Sequence, residues 1–252
     1  MKNLPAATLA VVVISVSLSY AQEKNEAETH YETGDSLYQE NKYQPAIASL
    51  DKAIALFEAS KNIPGLIKSQ NLKGECLANL SQCDQAIAII TKSLELTRAN
   101  LAADHPEFAS TYYYLSRAHG GCARRTEEAI TLMHQSMSLK RKLYGPASLE
   151  IAYDYNFMGY YFRNIEQLDS ASYYLNKALV IRRDKLPADD IEISHTLYLL
   201  ARIHESHSEL EEALDMHLRA YRIRQKRFPE PNATVSNSLE AIGGVYKKIG
   251  NY

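Results

Sequence analysis

The stretch GYYFRNIEQLDSASYYLNKA, residues 159–178, decides the fold of this chain of 252 residues. It begins with a small residue, Gly159, and a second small residue, Ala171, follows twelve positions later. The large side chain of Leu175 comes four positions after Ala171, and another small residue, Ala178, comes three positions further on. Small residues at these positions let two helices joined by a tight turn lie close together. The stretch therefore predicts one antiparallel helix pair.

The same pattern recurs along the chain with a period of about 42 residues, which is typical of helical repeats. The first small residue recurs at intervals of 40, 42, 43, 42 and 42, at Gly34, Gly74, Ser116, Gly159, Ala201 and Gly243. The second small residue follows 12 positions later, or 13 in the third unit, at Ala46, Ala86, Ala129, Ala171 and Ala213. The large side chain four positions further on is Leu50, Ile90, Met133, Leu175 or His217. Such a period indicates tandem helix pairs that bury their apolar faces against their neighbours.

Proline residues give the same period independently. They occur in polar stretches at intervals of 42, 40, 41 and 42, at Pro64, Pro106, Pro146, Pro187 and Pro229. Because proline cannot continue a helix, these residues are predicted to lie in connectors, where the second helix of each unit ends.

The order of small and large residues resembles the tetratricopeptide repeat (TPR) family from about residue 26 to residue 252. The position that holds tryptophan in that family holds Tyr155 and Leu197 in two of the units. The long period resembles the lengthened repeats of kinesin light chains. Connectors such as LYGPASLEIA, residues 143–152, also resemble the N-terminal repeat region of bacterial CHAT-domain proteins. The resemblance implies an all-α fold, a right-handed TPR-type α-solenoid of stacked antiparallel helix pairs.

The period divides the chain into five full helix pairs and one incomplete pair. The pairs are expected at about 26–62, 66–104, 108–145, 149–186 and 191–228, and the first helix of a sixth pair at about 234–250. Repeat arrays normally end in a polar capping helix, whereas this sequence stops on an apolar half-unit. We therefore expect the chain to be the N-terminal part of a longer protein, and to self-associate through its open C-terminal repeat.

The first residues have the features of a secretory signal peptide. A short basic start with Lys2 precedes an apolar run from Leu4 to about Leu18, and small residues lead up to Ala21. This pattern predicts a signal peptide over residues 1–21, cleaved after Ala21, and a periplasmic or secreted protein. An uncleaved anchor is the alternative, although the run is short for a membrane span. No membrane span is expected in the mature chain.

The composition bounds the chemistry that the chain can perform. The residues are 46% hydrophobic and 23% charged, with a formal net charge of −2, so the basic excess of nucleic-acid-binding domains is lacking. There are three cysteines, Cys76, Cys83 and Cys122. Cys83 and Cys122 fall in turns of neighbouring units, where a disulfide is conceivable if their Cα atoms lie within about 7 Å. Separate structural thiols are an equal alternative.

In the TPR fold the first helix of each pair lines the concave wall of the solenoid. Inward-facing positions there hold mainly tyrosine, asparagine and arginine, which are common in protein-binding surfaces. We expect a protein or peptide partner, an extended or acidic segment whose backbone is held by asparagines and whose carboxylates are held by arginines. The alternative is that the tyrosines only pack and the polar residues are only solvated. The predicted partner-binding residues are Tyr31, Asn71, Tyr113, Arg117, Tyr153, Asn156, Tyr160, Arg163, Tyr198 and Arg202.

No pattern for metal binding or catalysis is found. The segment HESH, residues 204–207, lacks the His-Glu-x-x-His spacing of zinc proteases. His119, His204 and His217 fill large or aromatic positions of the repeat, which favours packing over metal ligation. A Gly-rich phosphate loop is also lacking, so we expect no metal, no cofactor and no catalytic residue.

The sequence therefore predicts an exported protein-interaction module that is not an enzyme. One alternative is the sensory domain of a larger signalling enzyme, a CHAT-type protease or a histidine kinase, whose catalytic part lies beyond residue 252. A second alternative is a self-contained enzyme.

Overall fold

The computed structural model describes residues 26–228 and 232–250. Every regular element among these residues is helical, which confirms the all-α fold class. The predicted signal peptide, residues 1–21, and Pro229 lie outside the described residues. The described residues up to Leu132 form one compact unit, and those from Met133 form a second.

The helices alternate between the first and second members of antiparallel pairs. The first helices are residues 26–39 (α1), Ile63–Asn79 (α3), Pro106–Arg117 (α5), Leu149–Asn164 (α7), Ile191–Ser206 (α9) and Ala233–Ile249 (α11). The second helices are Tyr43–Ala59 (α2), Cys83–Asn100 (α4), Thr126–Tyr144 (α6), Leu168–Lys185 (α8) and Leu210–Arg227 (α10). Repeat 1 is α1 with α2, and the numbering continues to repeat 5, which is α9 with α10.

The small residues of the repeat are required because the two helices of a pair nearly touch there. A Cβ atom added at Gly159 would lie 2.3 Å from Cγ of Leu175, on the second helix of the same repeat. At Gly74 the nearest side-chain atom would be Cγ1 of Ile90, at 2.4 Å. Repeat 3 has Ser116 instead, whose buried hydroxyl donates a 2.7 Å hydrogen bond to the carbonyl of Ala129. The recurring pair of a small and a large residue thus sets the distance between the paired helices.

The turn between paired helices contains a left-handed residue in all five repeats. A non-glycine residue with positive φ lies five positions before the second small residue, at Asn41, Ser81, Arg124, Glu166 and Ser208. In repeat 4 the amide of Glu166 donates to the carbonyl of Arg163, and the amide of Gln167 donates to that of Phe162. These bonds satisfy the last carbonyls of the first helix, as left-handed caps do.

Repeat 3 contains a π-helical turn, Ala118–Cys122, after α5. In this repeat the second small residue also follows the first after 13 positions rather than 12. A π turn accommodates one additional residue without ending the helical segment. It also brings Cys122 next to Cys83 at the start of α4, with their Cα atoms 5.5 Å apart, and the two form a disulfide. Cys76 is a buried free thiol.

Two of the prolines lie at the start of the following helix and not in the connector that the sequence predicts. Pro64 and Pro106 are in the first turns of α3 and α5 rather than in connectors. The first helical turn tolerates proline because its N–H groups have no intrahelical acceptor. Pro146 and Pro187 do lie in connectors.

None of the helices among residues 26–228 and 232–250 combines the length and the apolar character that a membrane crossing needs.

We expect Gly159→Ala to lower the free energy of unfolding by about 1–3 kcal/mol, because Leu175 would be forced out of its rotamer. Gly243→Ala is the matched control, since a Cβ there meets nothing within 4 Å. Its better helix propensity should raise stability by up to about 1 kcal/mol. Urea unfolding followed by circular dichroism measures both. Equal effects of the two substitutions would contradict the assigned role of the close contact.

We expect the Cys83→Ser/Cys122→Ser variant to lose about 3–4 kcal/mol of stability, because the disulfide closes a 39-residue separation in the unfolded chain. Its unfolding should be insensitive to reductant, whereas that of the native chain should be sensitive. Thiol titration of the unfolded, unreduced native chain should find one free thiol, Cys76. Three free thiols would exclude the disulfide.

Candidate functional site

In the first unit, the side chains of α1, α3 and α5 meet at the buried carboxylate of Glu75. Its Oε1 atom lies 2.5 Å from the guanidinium of Arg117 and accepts a 3.1 Å hydrogen bond from the amide of Asn79. The hydroxyl of Tyr38 donates to the same oxygen at 3.4 Å. A second nitrogen of Arg117 lies 3.3 Å from the hydroxyl of Tyr113. The carboxylate of α3 thus orients an arginine and a tyrosine of α5 and a tyrosine of α1.

Two buried acceptors one helical turn apart on α3, Oδ1 of Asn71 and Oε2 of Glu75, have no hydrogen-bond donor among the described residues. The amide nitrogen of Asn71 is used, donating to Thr111 Oγ1 at 2.9 Å, and the residue is 1% exposed. Both atoms are enclosed by the protein, so leaving them unpaired is costly to the fold.

The tyrosines of α1 are half-buried hydrogen-bond donors. Burial, with the nearby carboxylates of Asp35 and Glu107, raises the pKa of Tyr31 to about 12. Burial also raises the pKa of Tyr38 to about 12, although the charge of Arg117 opposes the shift. Both hydroxyls therefore remain protonated at neutral pH. That of Tyr38 already donates to Glu75, whereas that of Tyr31 can donate to a carbonyl or carboxylate of a partner.

In the second unit, tyrosines of the first helices lie against arginines of the second helices. The guanidinium of Arg182 is 5.3 Å from the ring centroid of Tyr153, and that of Arg224 is 4.7 Å from that of Tyr198. Arg182 is 1% exposed and donates to Thr196 Oγ1 at 2.5 Å and to the carboxylate of Glu192 at 2.6 Å. These cation–π contacts fix the tyrosine rings while leaving part of each ring accessible.

The asparagines predicted to hold a partner instead connect neighbouring first helices. Oδ1 of Asn156 accepts hydrogen bonds of 3.0 Å from both Arg182 and Thr196, and the residue is 9% exposed. Asn71 joins α3 to α5 with the opposite direction of donation, because its amide nitrogen donates to Thr111 Oγ1. Each asparagine lies three positions before a small residue, and its threonine partner lies five positions before the next one. The asparagines therefore stabilise the stacking of repeats.

Two of the three predicted arginines are paired with a carboxylate of the protein, and the third is not. Arg117 is paired with Glu75, and Arg202 lies 3.4 Å from the carboxylate of Glu205. Arg163 contacts the ring of Tyr160 at 6.0 Å and Asn164 Oδ1 at 3.4 Å. Of these three, only Arg163 has no carboxylate partner among the described residues. The arginine set is thus less suited to an acidic segment than the sequence predicts.

Repeat 5 contains a second buried carboxylate, Glu205, which binds three basic side chains. Lys248 of α11 lies 2.7 Å from its Oε2 atom, and Nε2 of His217 lies 2.9 Å from its Oε1 atom. Burial acts against the charged form, but hydrogen bonds from Lys248 and His217 outweigh it and lower the pKa of Glu205. Burial lowers the pKa of His217, against the effect of Glu205. The Nδ1 atom of His217 is buried without a partner among the described residues, so Nε2 carries the proton of the neutral ring.

The histidine predictions have mixed outcomes. His217 is fully buried in its repeat position, as predicted, and its ring meets Tyr198 edge-on at 5.2 Å. His204 is instead partly exposed, with Nδ1 2.5 Å from the carboxylate of Glu209 in the turn. His119 lies partly buried in the π turn. No three His, Cys, Asp or Glu side chains of the described chain are grouped so that they could hold a metal ion.

Sequence reasoning missed the buried basic residues that join successive repeats. They occupy one position, eleven places after the second small residue, at Lys140, Arg182 and Arg224. Each contacts a buried polar residue of the next first helix: Asp154 at 2.6 Å, Thr196 at 2.5 Å and Ser238 at 2.8 Å. Their constant spacing was a signal in the sequence, but a basic residue near a helix C-terminus is usually assigned to the surface.

We expect acid to destabilise the native chain, and His217→Leu to weaken that effect as the pH falls below about 6.5. The lowered pKa keeps His217 neutral in the folded state, so the unfolded chain takes up a proton first and stability falls as the pH decreases. The contribution of Glu205, whose pKa is also lowered, is lost only at lower pH. The midpoint of thermal unfolding at several pH values measures the effect.

Leucine is chosen because Leu175 fills the equivalent position of repeat 4. His134→Gln is the control, since His134 is exposed and should not alter the pH profile. An acid slope unchanged in His217→Leu would show that other groups control it.

Comparisons with known proteins agree with this fold. Residues 108–150, which span α5, α6 and the start of α7, match the tetratricopeptide repeat family model. Amyloid protein-binding protein 2 of Mus musculus is 18% identical over 92% of this chain, and the match spans 42% of that protein's length.

Two solved structures are similar in backbone. BtubC (BKLC) from P. vanneervenii has a TM-score of 0.66, with 16% identity, 92% of this chain covered and 85% of that chain. TPR-like repeats assigned to a kinesin light chain of Podosopora anserina have a TM-score of 0.60, with 16% identity and coverage of 82% and 99%. At this identity the likeness concerns the fold alone. Together with the match over residues 108–150, it shows that the described helix pairs have the fold of tetratricopeptide-type repeats.

Proposed function

We propose that the chain is an extracytoplasmic scaffold that binds an extended segment of a partner protein against its first helices and performs no chemistry itself. The observation that carries the proposal is the support given to the first-helix tyrosines. Tyr153 and Tyr198 are partly exposed, yet each rests on an arginine that is itself buried and hydrogen-bonded. Rigid aromatic side chains lose little entropy on binding, which is why such residues dominate protein-binding surfaces.

The first unit supplies the complementary chemistry. The hydroxyl of Tyr31, which its raised pKa keeps protonated, suits the carbonyls of a partner. An extended backbone offers donors and acceptors in alternation. The protein-binding name of the mouse relative is consistent with this class of ligand.

Export is supported by two independent features. Residues 1–21 have the pattern of a signal peptide, and Cys83 and Cys122 lie in disulfide geometry. Disulfides persist in oxidising compartments such as the periplasm and the cell exterior. The alternative role is the sensory part of a larger CHAT-type protease or histidine kinase. It uses the same binding face and differs only in requiring a catalytic domain beyond residue 252.

The test is binding of display-selected peptides of about ten residues, measured by fluorescence anisotropy. We expect the Tyr160→Ala/Arg163→Ala/Arg202→Ala variant to bind at least about ten-fold more weakly than the native chain, because the three residues form accessible parts of the first-helix face of the second unit. Circular dichroism should show unchanged helix content.

Asp215→Ala is the matched control, because Asp215 is exposed on a second helix. Its affinity should equal that of the native chain. Selected peptides that bind the triple variant as tightly as the native chain would refute the proposal.

A further inference from the structure

The second helix of repeat 4, α8, borders a groove of about 900 Å³ that the first-helix face does not include. We name it the α8 groove. It is lined by α8 residues from Asp169 to Ile181, by Arg141 of α6 and Pro146 in the connector, and by Tyr155 of α7 and His207 after α9. Two α8 side chains in it, Tyr173 and Val180, are 55% and 69% exposed and are the most exposed large apolar side chains in the described residues.

Comparison among the repeats indicates that the fold does not require these side chains. The position of Tyr173, two places after the second small residue, is exposed in every repeat and otherwise holds Ala48, Ala88, Thr131 or Asp215. The position of Val180, nine places after the small residue, otherwise holds Ala55, Glu95, Ser138 or Arg222. Four other repeats fold with small or polar residues at both sites. A large apolar residue that packing does not need, placed beside a groove, indicates a contact with another molecule.

The two basic side chains of the groove indicate that its occupant is acidic. Arg141 and Lys177 line it, and neither forms an ion pair with a carboxylate of residues 26–228 or 232–250. The ammonium group of Lys177 lies 4.3 Å from the ring centroid of Tyr173, next to the apolar surface. Asp169 lies about 12 Å from Lys177 along α8, at the other end of the groove. The centre of the groove therefore offers an aromatic ring flanked by two cations.

The next repeat has a groove in the equivalent position, and basic side chains line that groove as well. A second groove of about 630 Å³ is lined by Arg183, Arg219, Arg222 and Lys226. Arg183 and Arg219 occupy the repeat positions of Arg141 and Lys177. Some of this charge is used internally, because Arg219 lies 3.5 Å from Asp215 and Lys226 lies 3.8 Å from Asp189. Two successive basic grooves occur in a chain whose net charge is −2, so the positive charge is concentrated here.

We propose that the α8 groove is a second docking surface, which binds an acidic protein segment carrying an aromatic or aliphatic side chain. The apolar side chain packs between Tyr173 and Val180, and carboxylates of the segment meet Lys177 and Arg141. The stripe from Asp169 to Ile181 is about 18 Å long, which matches five or six residues of extended chain. This surface is separate from the first-helix face, so the chain can bind two segments at once.

The experiment selects phage-displayed peptides of about ten residues against the Tyr160→Ala/Arg163→Ala/Arg202→Ala variant, in which the first-helix face is impaired. We expect the selected peptides to combine Asp or Glu with Phe, Tyr or Leu. Tyr173→Ala/Val180→Glu, added to that variant, should weaken their binding by at least about ten-fold, because it removes the apolar contact and adds a repelling charge. These substitutions introduce the amino acids that repeat 2 has at the same positions, so the helix should remain folded, which circular dichroism checks.

Lys177→Gln, which introduces the amino acid of repeat 3 at that position, isolates the charge contribution. It should weaken binding and reduce its dependence on salt, since exposed charges are screened within about 10 Å at 0.1 M salt. Thr131→Ala is the matched control on α6.

The proposal is overturned if no peptide is selected, if the selected peptides are basic, or if Tyr173→Ala/Val180→Glu leaves binding unchanged. Groove-dependent binding of a single-stranded oligonucleotide, with no binding of acidic peptides, would also overturn it in favour of a nucleic-acid site. The two proposals are tested separately. If Tyr173→Ala/Val180→Glu weakens binding of the acidic peptides but the triple variant binds its own selected peptides as tightly as the native chain, the groove proposal stands and the first-helix proposal falls.

Discussion

The structure depends on the close approach of two helices at a small residue. At Gly159 and Gly74 there is no room for a Cβ atom, because Leu175 and Ile90 of the paired helix fill that space. The contact holds each pair at a fixed spacing, and the left-handed residue in each turn holds it at a fixed angle. With both fixed, every pair presents a similar apolar surface to the next, which is why one sequence pattern can be repeated along the chain.

Packing alone leaves the alignment of neighbouring pairs loosely specified, and buried polar contacts refine it. Arg182 reaches from the end of one second helix to Thr196 in the next first helix, and Asn156 joins the same cluster. A sliding movement of one pair against the next would leave a buried guanidinium without acceptors, at a cost of several kcal/mol. The same contacts support the tyrosine rings at the surface. In the second unit the residues that stabilise stacking therefore also support the proposed binding surface.

The fold class could be predicted because it follows from the spacing of small and large residues along the chain, which can be read from a single sequence. The site could be predicted only in part. Tyr153, Tyr160 and Tyr198 lie on the first helices with partly exposed rings, but Asn71 and Asn156 are buried between repeats. A repeat register gives the face on which a residue lies, but it does not say whether a neighbouring side chain reaches over and covers it. Glu75 and Glu205 were overlooked as organising groups because a carboxylate is more often solvated than buried.

The disulfide between Cys83 and Cys122 changes how the first unit can lose structure. In a linear array each repeat touches only its neighbours, so unfolding starts at the ends and moves inward one repeat at a time. The covalent link between repeats 2 and 3 limits how far their chains can part at Cys83 and Cys122 when either repeat opens, and this favours closing again. In the first unit the junction between these two repeats is therefore the place where fraying is most restrained.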